Sequence, residues 1–275
     1  MRVSRPISQP LSHPLTHSLG RLGVDLDPLQ ALITSLFSSN EQGAFYIHQP
    51  VVNGAQALFQ DVAGTVPVTA DGDPDGLMID QSPNSTNAAQ TVSAQRPAYR
   101  SVSGLHYLQF DGTGDALDTS LQLSAPYSYA CALTVAEGSG SMYCFGGGYF
   151  ASAPAEGSGI ARSGGKYVIQ NRIGNTEIAT HESRTVDTAP FIVVVQIAAD
   201  GTITIDDETG QTVINSGLNN IEMSVPFAFG TPAGGAQSVS DFSGKIHGAL
   251  AVNRLLSGLE VSNIRAYLSD LAGVV

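Results

Sequence analysis

The stretch "FIVVVQIAADGTITIDDETGQTVINS", residues 191–216, is the part of the sequence that decides the fold. Apolar and polar residues alternate along most of it, as in β-strands whose side chains point to the two faces of a sheet in turn. Asp200-Gly201 and Thr209-Gly210 interrupt the alternation and are typical of tight turns. The opening "FIVVVQIA" is apolar on both faces. We therefore predict a three-stranded meander whose first strand lies in the middle of a sheet.

The same signals continue on both sides of this stretch, from Gly43 to about Leu250. About a dozen runs of alternating or apolar residues are separated by Gly, Asn, Asp or Pro, which are typical of turns. A chain with many strands and almost no helix buries its apolar faces by packing one sheet on another. We predict an all-β, two-sheet sandwich of the jelly-roll type.

Two short amphipathic segments flank the strands and are predicted to be helices. Residues 27–37 begin with Asp27, a residue type that is favoured at the N-cap. Residues 258–271 follow Ser257 and include Glu260, which have the spacing of a capping box. Each segment carries one apolar stripe, so we expect both helices to lie against the sandwich.

Charge is distributed unevenly along the chain. The net charge is −12, but residues 1–22 hold three arginines and no acid, so the remainder carries −15. An acidic body repels phosphate backbones, and we predict no binding to nucleic acid. No stretch approaches about 18 apolar residues, and the N-terminal segment has no continuous apolar core. We therefore expect neither insertion into a membrane nor a signal peptide.

The chain contains two cysteines, Cys131 and Cys144. A hairpin centred on Glu137-Gly138 would place them opposite each other, so a cross-strand disulfide is one interpretation. Two cysteines do not make the framework of a disulfide-rich domain. We favour a pair of buried, reduced thiols.

A four-residue repeat fills "RPISQPLSHPLTHSLG", residues 5–20. Proline at every fourth position prevents a continuous α-helix, because each proline removes a hydrogen bond and clashes with the preceding turn. In an extended chain the apolar residues of the repeat all face one way, roughly 13 Å apart. We predict an arm that binds another surface, with a disordered tail or linker as the alternative. The residues assigned to partner binding are Pro6, Ile7, Pro10, Leu11, Pro14, Leu15 and Leu19.

Several stretches of the chain resemble a known family. They are residues 43–82, "RPAYR" (96–100), "YLQFDGTGDALDT" (107–119) and "FSGKIHGALAVNRLLSGLEVSNIRAYL" (242–268). Together they resemble the concanavalin A-like, laminin-G-like jelly-roll domain of tailed-phage or phage-like-particle appendage proteins. The matching motifs lie toward the two ends of residues 43–270. Between them, residues 120–240 resemble the family only in being predicted to form strands. The closing motif of the family matches Gly244, Ile246, Leu256, Glu260, Val261, Ile264, Tyr267 and Leu268.

This resemblance implies a fold, a setting and a function. The fold is a concanavalin A-like jelly-roll sandwich with a short N-terminal helix, a C-terminal helix and an extended Pro-rich arm. The setting is a virion surface, on a head fibre, spike or tail fibre, for a protein made in the host cytoplasm. The function is attachment to host-surface carbohydrate such as capsular polysaccharide. We expect the arm to bind capsid, spike-base or tail proteins, and we expect a homo-oligomer.

We divide the chain into an anchoring arm (1–22), a short helical connector (23–42) and a jelly-roll domain (43–275). Three other functions stay open. A decoration or assembly protein would bind particles but no glycan. A capsule depolymerase would release reducing ends from polysaccharide. A bacterial lectin would bind sugar without any particle.

Acidic motifs raise the question of calcium. Asp111, Asp115 and Asp118 lie in and after "FDGTGD" and could surround an ion, but we favour a turn in which they cap backbone N–H groups. "DGDPDG" (71–76) matches the first half of an EF-hand loop and lacks the glutamate at the twelfth position, where Ser82 stands. We predict no cofactor and no metal, with calcium at the first motif as the alternative.

No arrangement of residues predicts catalysis. In "TIDDE" (204–208) the adjacent Asp206 and Asp207 face opposite sides of a strand, whereas glucanases of this fold carry carboxylates at alternate positions on one face. We expect a solvated hairpin end there. "GSGIARSGG" (157–165) lacks the lysine of a phosphate loop and is predicted to be a rim loop. We therefore predict that the chain is not an enzyme.

The best candidate for a carbohydrate site lies within residues 144–175. A sugar site needs aromatic faces and planar polar groups, and this stretch combines both with long Gly/Ser-rich loops. The alternative is that its aromatic residues belong to the core. The candidate ligand-binding residues are Tyr149, Phe150, Arg162, Tyr167, Asn171 and Arg172.

Overall fold

Antiparallel strands make up most of the molecule. A computed structural model describes residues 27–136, 142–148, 157–173, 176–217, 223, 225–230 and 241–274. The strands in these ranges are β1 (Gly43–Ile47), β2 (Val51–Val52), β3 (Ala55–Gln56), β4 (Leu58–Phe59), β5 (Leu77–Met78), β6 (Ala88–Ala89), β7 (Ala98–Val102), β8 (Leu105–Asp111), β9 (Ala116–Asp118), β10 (Tyr127–Val135), β11 (Met142–Gly148), β12 (Gly157–Ser163), β13 (Lys166–Ile173), β14 (Thr176–Thr185), β15 (Phe191–Ile197), β16 (Thr202–Asp207), β17 (Gly210–Asn215), β18 (Phe227–Gly230) and β19 (Ser243–Val252).

These strands form two large sheets. The first, which we call the helix-side sheet, has the order β17-β16-β15-β10-β19-β8-β7, and β1 also pairs with β19. The second sheet has the order β14-β13-β12-β11-β18-β9-β6-β5-β4. The two-residue strands β2 and β3 pair with each other. The predicted all-β, two-sheet sandwich is confirmed.

The meander that decides the fold forms as the sequence predicts. β15, β16 and β17 pair in order, with Val195 opposite Ile205 and Ile203 opposite Ile214. β15 lies between β10 and β16, and its valines are buried on both faces of the sheet. One face contacts the other sheet and the other contacts the helices, which explains the continuous apolar run.

Aromatic residues fill the space between the two sheets. The rings of Phe145 and Phe229 lie 4.8 Å apart, and Tyr129 contacts Phe227 edge-on at 5.7 Å. All four side chains are buried, and they come from both sheets. Each buried aromatic side chain removes about 150–250 Å² of surface from water, so this layer dominates the packing energy.

The two cysteines lie in different sheets, so the predicted hairpin between them is wrong. Cys131 is in β10, which pairs with β15 and β19, and Cys144 is in β11, which pairs with β12 and β18. The chain crosses between sheets here, and equal spacing from a turn cannot distinguish that crossing from a hairpin. Both thiols are free and buried, as favoured, and burial raises the pKa of each.

Two helices cover the outer face of the helix-side sheet. They are α1 (Pro28–Leu36) and α2 (Gly258–Ala272). Ser257 and Glu260 form the predicted capping box: the serine hydroxyl accepts from the Glu260 N–H, and the glutamate accepts from the Ser257 N–H. Asp27 stands at the N-cap of α1, as predicted, although its side chain makes no capping hydrogen bond.

The arm (1–22) lies outside the described residues, and the division of the chain into three parts stays a prediction. α1 falls in the predicted connector, where its Leu29, Leu32, Ile33 and Leu36 are buried. In the described part of the chain, no helix is long and apolar enough to cross a membrane.

Candidate functional site

The predicted ligand-binding residues that the structure describes lie in two separate places. β12 and β13 run antiparallel on either side of a turn at Gly164-Gly165, with Arg162 opposite Tyr167 and Ser158 opposite Asn171. Four residues of extended chain separate the two pairs, a distance of about 13 Å. Arg162 and Tyr167 therefore lie near one end of the sandwich and Asn171 lies near the other.

Tyr167 belongs to the core, so its assignment to ligand binding is wrong. Its ring is fully buried and stacks on Phe191 with a centroid distance of 4.3 Å. Its hydroxyl accepts a hydrogen bond from the Val135 N–H at 3.2 Å. Alternation along β13 turns residues 167, 169 and 171 inward together, and the sequence alone does not indicate which set faces the second layer.

The other assignments are only partly described. Tyr149 and Phe150 lie outside the described residues. Arg172 is in β13, and its side chain is also outside the description. Arg162 is half-buried next to the Gly164-Gly165 turn. A role for these residues in binding stays a prediction.

Residues 157–163 form β12, so the predicted rim loop is wrong. The glycines of this run serve close packing inside the sheet. A Cβ atom on Gly159 would stand 2.7 Å from the Tyr143 ring, which is shorter than any ordinary contact. Glycine here makes room for an aromatic ring, a function that a Gly-rich composition does not reveal.

A group of polar side chains lies inside the sandwich, which we call the Ser158 cluster: Tyr127, Tyr129, Ser158 and Asn171. The hydroxyls of Tyr129 and Ser158 are hydrogen-bonded at 2.7 Å. Asn171 stands opposite Ser158 in the ladder, so the two side chains share one face of the sheet. Each of the four residues is 0% exposed.

One member of the Ser158 cluster has unused hydrogen-bonding capacity. The amide nitrogen and oxygen of Asn171 find no partner among the described residues. Leaving a buried polar group unpaired costs about 1–3 kcal/mol. Burial also raises the pKa of both tyrosines, so the whole cluster is uncharged. It can donate to and accept from a neutral hydroxyl group or a water molecule.

The Ser158 cluster lies near the end of the sandwich where residues 149–156 join β11 to β12 and residues 174–175 join β13 to β14. Of the candidate ligand-binding residues, Asn171 is the one that belongs to the cluster. Sequence reasoning missed Ser158, because it stands in the Gly-rich run interpreted as a loop. The alternation in "YSYA" indicated that Tyr127 and Tyr129 share a face.

The calcium candidates Asp111, Asp115 and Asp118 support a turn instead. Asp111 accepts from the Thr113 N–H at 2.6 Å, and Asp115 accepts from the Asp111 N–H at 2.9 Å. Asp118 is exposed. Burial, with repulsion from Asp111, raises the pKa of Asp115 to about 6. Among the residues that the structure describes, no three His, Cys, Asp or Glu side chains are grouped so that they could hold a metal ion.

Two of the three aspartates of "DGDPDG" also have separate partners. Asp71 pairs with Arg100 at 3.1 Å, and Asp73 accepts from the backbone N–H of Thr69 at 2.8 Å. Asp75 is fully buried, and burial raises its pKa well above the usual range. This stretch is a turn between strands, as favoured.

Asp206 and Asp207 face opposite sides of β16, as the sequence predicts. Asp206 pairs with Arg265 of α2 on the outer face. Asp207 is buried between the sheets, so the expected solvated end is wrong for this residue. Burial favours a higher pKa for Asp207, but hydrogen bonds from Ser183 and Thr209 lower it overall. Ser183 therefore donates to a weak base, and this contact does not activate a nucleophile.

Comparisons with known proteins identify a fold and no family. No protein-family model matches the chain, and no curated protein matches it. The solved structures that resemble it include the botulinum neurotoxin serotype G binding domain, at 11% identity and a TM-score of 0.51. That likeness covers 70% of this chain and 49% of the toxin domain. At this identity it supports the β-sandwich fold alone.

Two further structures are similar at lower TM-scores. Trypanosoma rangeli sialidase in complex with sialic acid matches at 16% identity and a TM-score of 0.48, over 88% of this chain and 37% of the sialidase. Domain 4 of AbnA, a GH43 extracellular arabinanase from Geobacillus stearothermophilus, in complex with arabinotriose, matches at 13% identity and a TM-score of 0.46, over 64% of this chain and 81% of that chain. This chain thus spans little more than a third of the sialidase.

These likenesses correct one prediction. We expected the chain not to be an enzyme, and the solved structures that resemble it include a sialidase and a domain of an arabinanase. The expectation is contradicted by this finding and is withdrawn. The class that the fold defines is a two-sheet β-sandwich with two helices on one face.

Proposed function

We propose that this chain is a carbohydrate-binding β-sandwich of a virion surface protein. The observation that carries the carbohydrate part is the Ser158 cluster, where the Asn171 amide lacks a partner among the described residues. The observation that carries the virion part is the resemblance to phage appendage domains of residues 43–82, 96–100, 107–119 and 242–268.

The chemistry of the Ser158 cluster suits a neutral sugar. Sugars present hydroxyl groups that both donate and accept, and the amide and hydroxyl groups of the cluster do the same. The cluster carries no charge to select a charged ligand, because burial keeps its tyrosines protonated. A hydroxyl group reaching Asn171 would satisfy an amide that otherwise costs free energy.

The test is glycan binding by the full chain and by cluster variants. Asn171→Ala and Tyr127→Phe should each weaken binding by about tenfold or more, because each loses one hydrogen bond of about 1.4 kcal/mol to the sugar. Tyr107→Phe is the matched control, since it removes a tyrosine hydroxyl from the outer face of the helix-side sheet. If all three variants bound every glycan with the same affinity, the Ser158 cluster would not be the binding site.

For the virion part, we propose that residues 1–22 attach the chain to capsid, spike-base or tail proteins, and that several copies assemble together. Deletion of residues 2–20 should leave the sandwich folded by circular dichroism and should abolish incorporation into particles. Normal incorporation of the truncated chain would contradict the anchoring role. Incorporation of the full chain without any glycan binding would instead support a decoration protein.

Hydrolysis of a glycan is a second candidate function, and one observation favours it. The pKa of Asp115 is raised to about 6 by burial and by the charge of Asp111, as a proton donor at neutral pH requires. Release of reducing ends from host polysaccharide should then be lost in Asp115→Asn and kept in Asp200→Asn, which removes an exposed carboxylate whose pKa is lowered by hydrogen bonds from Thr202. No release by the unmodified chain would exclude this candidate.

A further inference from the structure

β17 is an uncharged strand at the edge of the helix-side sheet. Among the described strands it pairs only with β16. Its residues, Gly210–Asn215, include no charged side chain and no proline, and Val213 is 61% exposed. The edge strand of the second sheet, β14, instead carries Glu182 and Arg184 in ion pairs. Charges of that kind protect an edge against pairing, and β17 has none.

The geometry of the β16–β17 hairpin determines which groups are free. Asp207 pairs with Gly210 across a two-residue turn, and such a turn closes on a hydrogen-bonded pair. Alternation then turns the backbone N–H and C=O groups of Gln211, Val213 and Asn215 away from β16. The side chains of these three residues lie on the outer face, because Ile214, next to them, packs against the core. The residues along the free edge of β17 are therefore polar, apolar and polar in turn: Gln211, Val213 and Asn215.

The N-terminal repeat has the matching pattern. In an extended chain its odd-numbered residues all turn their N–H and C=O groups to one edge, and its prolines occupy the other edge. The edge formed by the odd-numbered residues can thus pair with a strand. The opposite edge lacks an N–H donor at every proline. The odd-numbered residues alternate between apolar and polar: Ile7, Gln9, Leu11, His13, Leu15, His17 and Leu19.

We propose that residues 7–15 of the chain's own arm add to the free edge of β17 as an antiparallel strand. An apolar residue of the arm, such as Leu11, lies opposite Val213, and polar residues lie opposite Gln211 and Asn215. Pairing through the odd-numbered residues places the leucines beside Val213 on the outer face. The prolines then face solvent and prevent a further strand from adding.

The arm of the same chain is the occupant, because its effective concentration is highest. Fifteen residues separate Leu11 from Asp27, which begins the described part of the chain, and they can span roughly 50 Å. α1 packs against α2, which lies on β19 and β15. From β19 to β17 the sheet measures about 19 Å, four strand spacings. A tether of this length keeps the arm near millimolar concentration at the edge. The proposal stands independently of glycan binding, and it describes the chain before the arm meets a partner.

Cysteine pairs in the full chain test the proposal. Leu11→Cys combined with Val213→Cys should form an intramolecular disulfide, because directly opposite residues of an antiparallel pair have Cα atoms about 5.5 Å apart. Cys131 and Cys144 are buried and do not compete. The matched control is Ser12→Cys with Val213→Cys, since an even-numbered residue points to the other face. Mass spectrometry of the oxidised monomer distinguishes the two.

A bond at residue 11 and little at residue 12 supports the proposal. Equal yields at both, no bond at either, or bonds only between chains would overturn it. Hydrogen exchange gives a second measurement on the unlinked protein. The Val213 amide should exchange at least about tenfold faster when Ile7, Leu11 and Leu15 are all changed to Asp. An unchanged rate would also overturn the proposal.

Discussion

Arg254 and Glu260 form a two-pronged ion pair at the N terminus of α2, with Nη2 2.6 Å from Oε1 and Nη1 3.1 Å from Oε2. The guanidinium also donates to the Ser35 carbonyl at 3.0 Å, at the end of α1. The Glu260 carboxylate in turn accepts from the Ser257 N–H at 2.8 Å. One arginine therefore connects the ends of both helices through a carboxylate that also caps α2.

The first prediction concerns the pH dependence of this pair. The hydrogen-bonded guanidinium of Arg254 lowers the pKa of Glu260 from 4.5 to about 2. The unfolded chain therefore takes up this proton first, and the stabilisation is present above pH 4.5 and is lost as the pH falls toward 2. Glu260→Gln should lower the free energy of unfolding at pH 7 by about 1–2 kcal/mol, measured by urea denaturation.

The control for Glu260 is an exposed ion pair. Glu182 pairs with Lys166, and its side chain is 60% exposed. Glu182→Gln should have no measurable effect on unfolding, because solvent screens such a pair. If both variants lost the same stability, the partly buried Arg254–Glu260 pair would have no special role.

The second prediction concerns two buried histidines. Burial lowers the pKa of His247 to about 4 and that of His48 to about 3. Both are neutral in the folded chain, while the unfolded chain binds protons below about pH 6.5. The free energy of unfolding should therefore fall as the pH drops below 6.5, by about 1.4 kcal/mol per pH unit for each histidine.

His247→Leu should halve this histidine-dependent slope between pH 6.5 and 4. Little stability should be lost at pH 7, because His247 is buried and neutral there and leucine fills the same buried position. Chemical denaturation at pH 7, 6 and 5 provides the measurement. An unchanged slope would mean that His247 takes up its proton equally in the folded and unfolded chains.

The third prediction concerns the cost of the proposed binding site. Asn171→Leu should raise the free energy of unfolding by about 1–2 kcal/mol, because it removes an unpaired buried amide. The same variant should lose glycan binding. Ser158→Ala is the control variant. Its free energy of unfolding should fall by about 1 kcal/mol, because the Tyr129 hydroxyl loses its hydrogen-bond partner. Thermal unfolding of the two variants should therefore shift in opposite directions.

The fourth prediction concerns close packing at Gly244 in β19. A Cβ atom there would collide with the Thr134 carbonyl oxygen on β10 and would stand 2.7 Å from the Phe242 ring. Gly244→Ala should destabilise the protein by about 2–3 kcal/mol. Gly258→Ala is the control, because a Cβ atom at that position meets nothing within 4 Å. It should be neutral or stabilising by up to about 1 kcal/mol, since alanine favours a helix.

The predictions from sequence succeeded where a local pattern is sufficient. The pattern in residues 191–216 predicted three strands and placed the second turn within one residue of its position, because strand periodicity and turn chemistry act over a few residues. Ser257 and Glu260 predicted the start of α2 for the same reason. These features would be the same in any tertiary context that keeps the helix and the meander.

The predictions failed where the partner lies far away in sequence. Cys131 and Cys144 look like hairpin partners, but their strands join different sheets. Tyr167 looks like a binding aromatic residue until Phe191 covers its ring. Gly159 looks like part of a loop until Tyr143 lies against it. In each case the deciding contact comes from a second strand that the local pattern does not specify.

The sequence by itself determined that this protein is a β-sandwich with a helix before it and a helix after it, since both depend on local periodicity. Only the tertiary structure decided what the inward faces contain. Stacking two sheets brought Ser158 to Tyr129 and left Asn171 without a partner among the described residues. It also left β17 at an uncharged edge. The environment of Asn171 and the edge position of β17 both depend on which sheet each strand joins and in which register. Many weak contacts along the whole chain together determine that pairing.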